Sequence, residues 1–173
     1  RVLETMGDSI HPFFQAGDWD TATHEACLDL AIGTAAVMPV KGTAHDPVRF
    51  AAVPFDQIAM LVDVTGRPTF ISWKQPVTAE QVLEMFPKGS FPDDFRQRAK
   101  TSPNNECTLR QEFFPAGRGA FAGWWFVAYI ENSLEFITAE WSRTQQIAVP
   151  RYYRVPGEAY GRGVILTALP SIK

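Results

Sequence analysis

Cysteine is scarce in this sequence: Cys27 and Cys107 lie far apart, and no C-x-x-C pair occurs. Zinc-ribbon and thioredoxin-like readings therefore fail. Thiols in a reducing compartment are the simplest state for both, with a disulfide as the alternative. Basic charge is also in short supply. Sixteen Lys and Arg against nineteen Asp and Glu leave a net charge of −3, whereas a protein built to hold free duplex carries a basic surplus. No run approaches the roughly 18 apolar residues of a membrane span, and nothing resembles a signal peptide. No G-x-x-x-x-G-K-[ST] loop exists, which excludes a P-loop nucleotide hydrolase. No serine or cysteine sits in a G-x-S-x-G context. Of the three histidines, His24 precedes Glu25, but Leu28 stands where a zinc protease needs its second histidine. His24 is then a helix-surface residue, and His11 and His45 have no partner at ligand spacing.

What is present is an aromatic-rich globular pattern, 46% hydrophobic and 13% aromatic over 173 residues. That length fits one domain, two at most. The chain starts at Arg1 in mid-pattern and is read as a piece of a longer polypeptide, open at both ends. Residues 2–16 have the spacing of a helix with Pro12 inside it, and Gly17 closes it. Asp18 or Asp20 is placed to cap a second helix reaching about Ile32. Gly33 is a hinge, and Ala35 to Val40 reads as a strand. A turn from Gly42 to Pro47 leads to a strand at Val48 to Val53. Ile58 to Val62 and Thr69 to Trp73 flank Asp63-Val64-Thr65-Gly66 as a hairpin.

Thr78-Ala79-Glu80-Gln81 is a capping box opening a short helix, Ala79 to Phe86, with Val82, Leu83 and Phe86 on one face. Pro92-Asp93-Asp94 opens a second, with Arg96, Arg98 and Lys100 toward its end, in accord with the helix dipole. Thr108 to Phe114 reads as a strand and Pro115 to Gly119 as a turn. Phe121 to Ile130 reads as a central strand, and Ser133 to Glu140 as its partner, with Leu134, Phe136 and Thr138 on one face. Neighbouring strand residues point to opposite faces, so one of Trp124 and Trp125 is core and the other is free to anchor an interface. The expected fold class is α+β: N-terminal helices, then mostly antiparallel strands with two short inserted helices.

The last stretch organises the rest. Val149, Tyr153 and Val155 predict a strand, ended by Pro156-Gly157. Gly161 and Gly163 flank Arg162, so the backbone there can take positive φ or pass close to another chain. Ile165, Leu166, Leu169 and Ile172 recur at helical spacing.

This stretch resembles the signature of the head-to-tail connecting (portal) proteins of short-tailed bacteriophages. Gly157, Glu158, Tyr160, Gly161, Arg162, Gly163, Ala168, Leu169, Pro170, Ile172 and Lys173 match it, and Ser171 stands where the family has aspartate. The resemblance extends upstream through Cys27 to Thr34, Arg49 to Pro54 and Asp63 to Gly66. It implies a wing-type domain over residues 1–173 of a longer portal subunit, with 164–173 the start of a stem helix. It implies a structural subunit of a dodecameric ring at one capsid vertex, in the virion and, during assembly, in the host cytoplasm. Its partners would be further copies, the major capsid protein, the terminase, and tail or adaptor proteins. Double-stranded DNA would pass through the channel without sequence-specific binding, which needs no basic surplus. No enzyme activity, cofactor, metal or membrane contact is implied.

Arg151, Tyr152, Arg154, Gly157, Glu158, Tyr160, Gly161, Arg162 and Gly163 are the expected signature and subunit-interface residues. Arg and Tyr are enriched at protein interfaces, and Glu158 is a plausible ion-pair partner for one of the arginines. Two alternatives stand beside this reading. Arg143, Arg151, Arg154 and Arg162 with Tyr152, Tyr153 and Tyr160 could bind nucleic acid by stacking and phosphate contact. Asp18, Asp20, Glu25 and Asp29 could serve a hydrolase centred near Asp20 and Asp29, if those carboxylates converge in a pocket. Helix caps and a solvated face explain the same acids more simply.

Overall fold

A computed structural model describes residues 2–42, 47–117, 122–133 and 135–169. The fold is α+β, with N-terminal helices followed by mostly antiparallel strands. The chain divides into two compact units, Arg1–Asp56 with Ile147–Lys173, and Gln57–Gln146. Sequence expectations for residues 43–46 and 118–121, for Leu134, and for Pro170, Ser171, Ile172 and Lys173 lie outside the described residues.

The first unit opens with α1, Val2–Ala16, which carries Pro12 within it. Helix α2 spans Trp19–Ile32. Asp18 occupies the cap position, but its side chain makes no cap bond, and its φ of 61° is left-handed. Its carboxylate instead pairs with Arg49 at 2.8 Å, so the expected capping role is corrected. Phe14, Trp19 and Phe50 fill the corner between helices and hairpin, with ring centroids 4.8–5.3 Å apart. The hairpin is β1, Val37–Lys41, against β2, Val48–Ala52, with Val37 opposite Ala52.

The second unit is a five-stranded antiparallel sheet in chain order. It consists of β3 Ile58–Val62, β4 Pro68–Thr78, β5 Glu106–Ala116, β6 Gly123–Ile130 and β7 Phe136–Ser142. The turn after β3 is set by Asp63, whose Oδ1 accepts from the Thr65 N–H and hydroxyl and from the Arg67 N–H. These donors hold its carboxyl below the ordinary carboxylate range. Helix α3, Ala79–Met85, starts directly off β4. Thr78 accepts from the Gln81 N–H, and the Gln81 side chain accepts from the Thr78 N–H. Helix α4, Asp93–Thr101, follows with its acids first and Arg98 and Lys100 last.

Alternation places Ile71, Leu109, Phe113, Phe126 and Ala128 on one face of the sheet, all buried. Phe86 stacks on Phe126, and Val82, Phe95 and Ala99 are buried from the helices, so this face and the two helices make the core. Gln111, 2% exposed, is satisfied by donating to Gln75 Oε1 at 3.2 Å.

Three strand expectations change. β5 runs through Pro115 and Ala116, where a turn was expected. Its register with β4 stops at Phe113, so Pro115 has β6 alone as a neighbour, and its missing N–H costs no ladder bond on the open side. Pro76 is tolerated in β4 similarly, since pairing with β3 ends at Trp73. In β7 the inward residue is Ile137, 4% exposed, while Phe136 is 60% exposed. A register shift at Ala128/Tyr129 flips the pattern there.

Candidate functional site

Among the described residues after Ile147 there is no regular strand. The expected strand from Val149 to Val155 is replaced by isolated bridges, Val37 with Ala148, Thr34 with Arg151, and Tyr153 with Arg162. Pro150 and Pro156 supply no N–H, which limits how far a ladder can run. What forms instead is a clasp of backbone bonds around the end of α2. Ala35 N donates to Pro150 O at 3.0 Å, and Tyr152 N donates to Gly33 O at 2.9 Å. Arg162 N then donates to Tyr153 O at 2.9 Å, and Gly163 N to Ile32 O at 2.8 Å.

The glycines of the signature allow this. A Cβ on Gly161 would sit 2.3 Å from Gly33 O, and one on Gly33 would sit 2.0 Å from Gly161 O. A Cβ on Gly163 would sit 2.0 Å from Ala31 O. No side chain fits between these backbones, so the close approach expected of Gly161 and Gly163 toward another chain is made here to the end of α2 of the same chain. Thr34, 0% exposed, completes the clasp, its Oγ1 accepting from Gly161 N at 2.7 Å. Nothing in the sequence around Thr34 signals this bond, which joins residues 127 apart. Gly157 provides the bend at φ 83°, closed by Glu158 N donating to Val155 O at 3.1 Å.

The polar signature residues divide by direction. Arg162 projects from between the glycines, and its Nε and Nη2 donate to the two Glu158 oxygens at 3.1 and 2.5 Å. Those bonds hold the Glu158 carboxyl below its ordinary value and raise Arg162. The expected ion pair of Glu158 is thus made within the clasp. Arg151 is half-buried and donates to Ala159 O at 3.2 Å. Burial first, and the neighbouring Arg154 second, lower its pKa. Tyr160 turns inward, its ring edge-on to Phe55 at 5.6 Å. Tyr152, Tyr153 and Arg154 are exposed. Arg143 belongs to the other unit. Helix α5, Val164–Ala168, leaves the clasp with Val164, Ile165, Leu166 and the following Leu169 exposed.

The acidic set does not converge. Asp20 and Asp29 are nine residues apart on α2, which at about 100° and 1.5 Å per residue puts them on opposite sides and about 13 Å apart along the axis. Asp18 is paired with Arg49, and Asp29 accepts from Phe55 N at 3.0 Å. Among the described residues no group of three or more His, Cys, Asp or Glu is placed to hold a metal ion. Both cysteines are free thiols, and burial pushes the Cys107 thiol up. Among the described residues no helix is long and apolar enough to cross a membrane.

Comparison with known proteins places these features in one family. The family model described as bacteriophage head to tail connecting protein matches residues 1–173. No curated protein matches the chain.

Proposed function

We propose, from the premise that the chain belongs to the bacteriophage head to tail connecting protein family, that it is part of a portal subunit forming a closed ring at one capsid vertex. The family supplies the general role, a structural connector of the virion. The finer reading is a wing-type domain in a ring of twelve, through whose channel DNA is packaged and ejected. The terminase, and afterwards tail or adaptor proteins, would dock on that ring, and the major capsid protein would surround it. The observation that carries this reading is the family match over the whole chain. The clasp agrees with it. Its glycines and Thr34 fix the point where α5 departs from α2, as a chain passing from wing to stem requires. The side chains of Tyr152 and Tyr153 are exposed, available for contact with a neighbouring copy.

Direct nucleic-acid binding is the weaker reading, because two arginines of the cluster are engaged within the chain, Arg151 with Ala159 O and Arg162 with Glu158. A hydrolase is weaker still, given the opposed placement of Asp20 and Asp29. The test is native mass spectrometry with negative-stain imaging of the full-length polypeptide that carries this chain. Rings of about twelve copies with a central hole are expected. A well-folded monomer at assembly concentrations would overturn the reading, and salt-sensitive DNA binding by that monomer would favour the Arg/Tyr alternative.

A further inference from the structure

The two faces of the five-stranded sheet are treated differently. One is covered by α3 and α4. The other carries a row of large apolar side chains that crosses all five strands. Leu61 lies opposite Phe70, Phe114 opposite Trp125, and Trp125 opposite Trp141. The pairing of Ile71 with Phe113 sets Phe70 beside Phe114 one step on, by antiparallel register. Leu61 is 63% exposed, Trp125 36% and Trp141 49%. Phe136, farther along β7 on this face, is 60% exposed. Ser72 and Val127, on the same face, are already buried, so the exposed area is concentrated in the row and along β7.

Aromatic side chains present about 150–250 Å² each, so these residues leave on the order of 400–500 Å² of apolar surface uncovered. A standard interface takes about 800 Å² per partner, about 65% of it apolar at its core. The row therefore supplies the apolar centre of one such interface. The charged residues beside the row have both signs. Glu131 pairs with Arg110 at 2.6 Å and with Lys74 at 3.3 Å, and Glu112 accepts from the Tyr129 hydroxyl at 2.7 Å. A nucleic acid or an anionic membrane would call for unopposed cations, whereas a mixed rim beside an apolar row suits another copy of a chain whose net charge is only −3.

We propose that the helix-free face of this sheet, centred on Trp125 and Trp141 and running from Leu61 to Phe136, is a docking surface for a second copy of the chain. The inference rests on the ring reading and names one of the surfaces that closes the ring. A head-to-tail ring needs two different surfaces per copy, and this face is one of them.

The test uses the full-length polypeptide with Leu61→Lys and Trp141→Lys, separately and together, assembly being read by sedimentation velocity and folding by thermal unfolding. Each variant should raise the concentration needed for assembly at least tenfold while the unfolding transition stays in place. Leu61→Lys, at an edge position, keeps the test valid if Trp141→Lys fails to fold. As a second readout, acrylamide quenching of tryptophan fluorescence should fall on assembly of the wild type. Variants that assemble at the wild-type concentration, with quenching unchanged on assembly, would overturn this surface and leave the ring standing. A wild type that never assembles would overturn both.

Discussion

The two units are held together by different means. In the sheet unit the work is done by side chains: Phe113, Ile71 and Leu109 are essentially fully buried and pack under α3 and α4. In the helical unit much of the holding is backbone against backbone, with Gly33, Gly161 and Gly163 giving up side chains so that two segments touch. The apolar surface of its helices is left outward, at Met6, Ile10 and Phe13 on α1 and at Ile165 and Leu166 on α5. A side-chain core tolerates exchange of similar volumes. A backbone clasp tolerates none, because even a methyl group meets a carbonyl. Of the family signature, Gly161 and Gly163 are residues that cannot be exchanged for this reason.

Perturbing each unit at its own kind of contact tests that difference. The largest effect is expected from Phe113→Ala, which empties the space beside Phe126, 5.1 Å away between ring centroids. It should cost about 3–5 kcal/mol, read by urea unfolding. Gly163→Ala adds one methyl group yet should cost about 1–3 kcal/mol or more, as overpacking does. The same change at an ordinary exposed glycine should be nearly silent. Thr34→Val keeps the shape and removes the acceptor for Gly161 N, leaving a buried donor unsatisfied at about 1–3 kcal/mol. Thr78→Ala removes the cap of α3 and should cost about 1 kcal/mol, a local loss in the sheet unit to set beside the clasp.

The smallest effect is in pH. Glu158 and Glu131 both have carboxyls held below their ordinary value of 4.5 by arginine partners, Arg162 and Arg110. A depressed carboxylate contributes stability above its unfolded pKa and loses it as pH falls through the folded one. Stability should therefore decline below about pH 4.5. Glu158→Gln should flatten the part of that decline that belongs to the clasp, measured as melting temperature against pH. The Glu158–Arg162 pair is about half-exposed and the Glu131–Arg110 pair part-buried, so the slope should be shallow, and the part from Glu158 should weaken further with salt.

Local chemistry was legible in the sequence. The Thr78–Gln81 capping box, the Asp63–Gly66 turn, the acids at the start of α4 and the hydrophobic stripe leading to α2 all depend on residues a few positions apart. So did the requirement for glycine at 161 and 163. What the sequence withheld was the partner: nothing near Gly161 points to Thr34 or Gly33, which approach only when the chain returns. The same non-locality misled the reading of Val149 to Val155. Its β-prone residues are real, but two prolines and a glycine-lined neighbour turn the ladder into single bridges. Position alone makes Asp18 or Asp20 a candidate cap, whereas Arg49, thirty-one residues on, takes the Asp18 carboxylate. In β7 a register shift exchanged the two faces, which alternation by itself has no means to foresee.

The most direct test of the clasp is amide hydrogen exchange on Gly163→Ala and wild type under identical conditions. The account predicts that Tyr152, Gly161, Arg162 and residue 163, whose amides close the clasp, lose protection together, while the amides of β5 and β6 keep theirs. If those clasp amides stay as protected as in wild type, the glycines are not what holds the helical unit, and the physical explanation of the signature offered here is wrong.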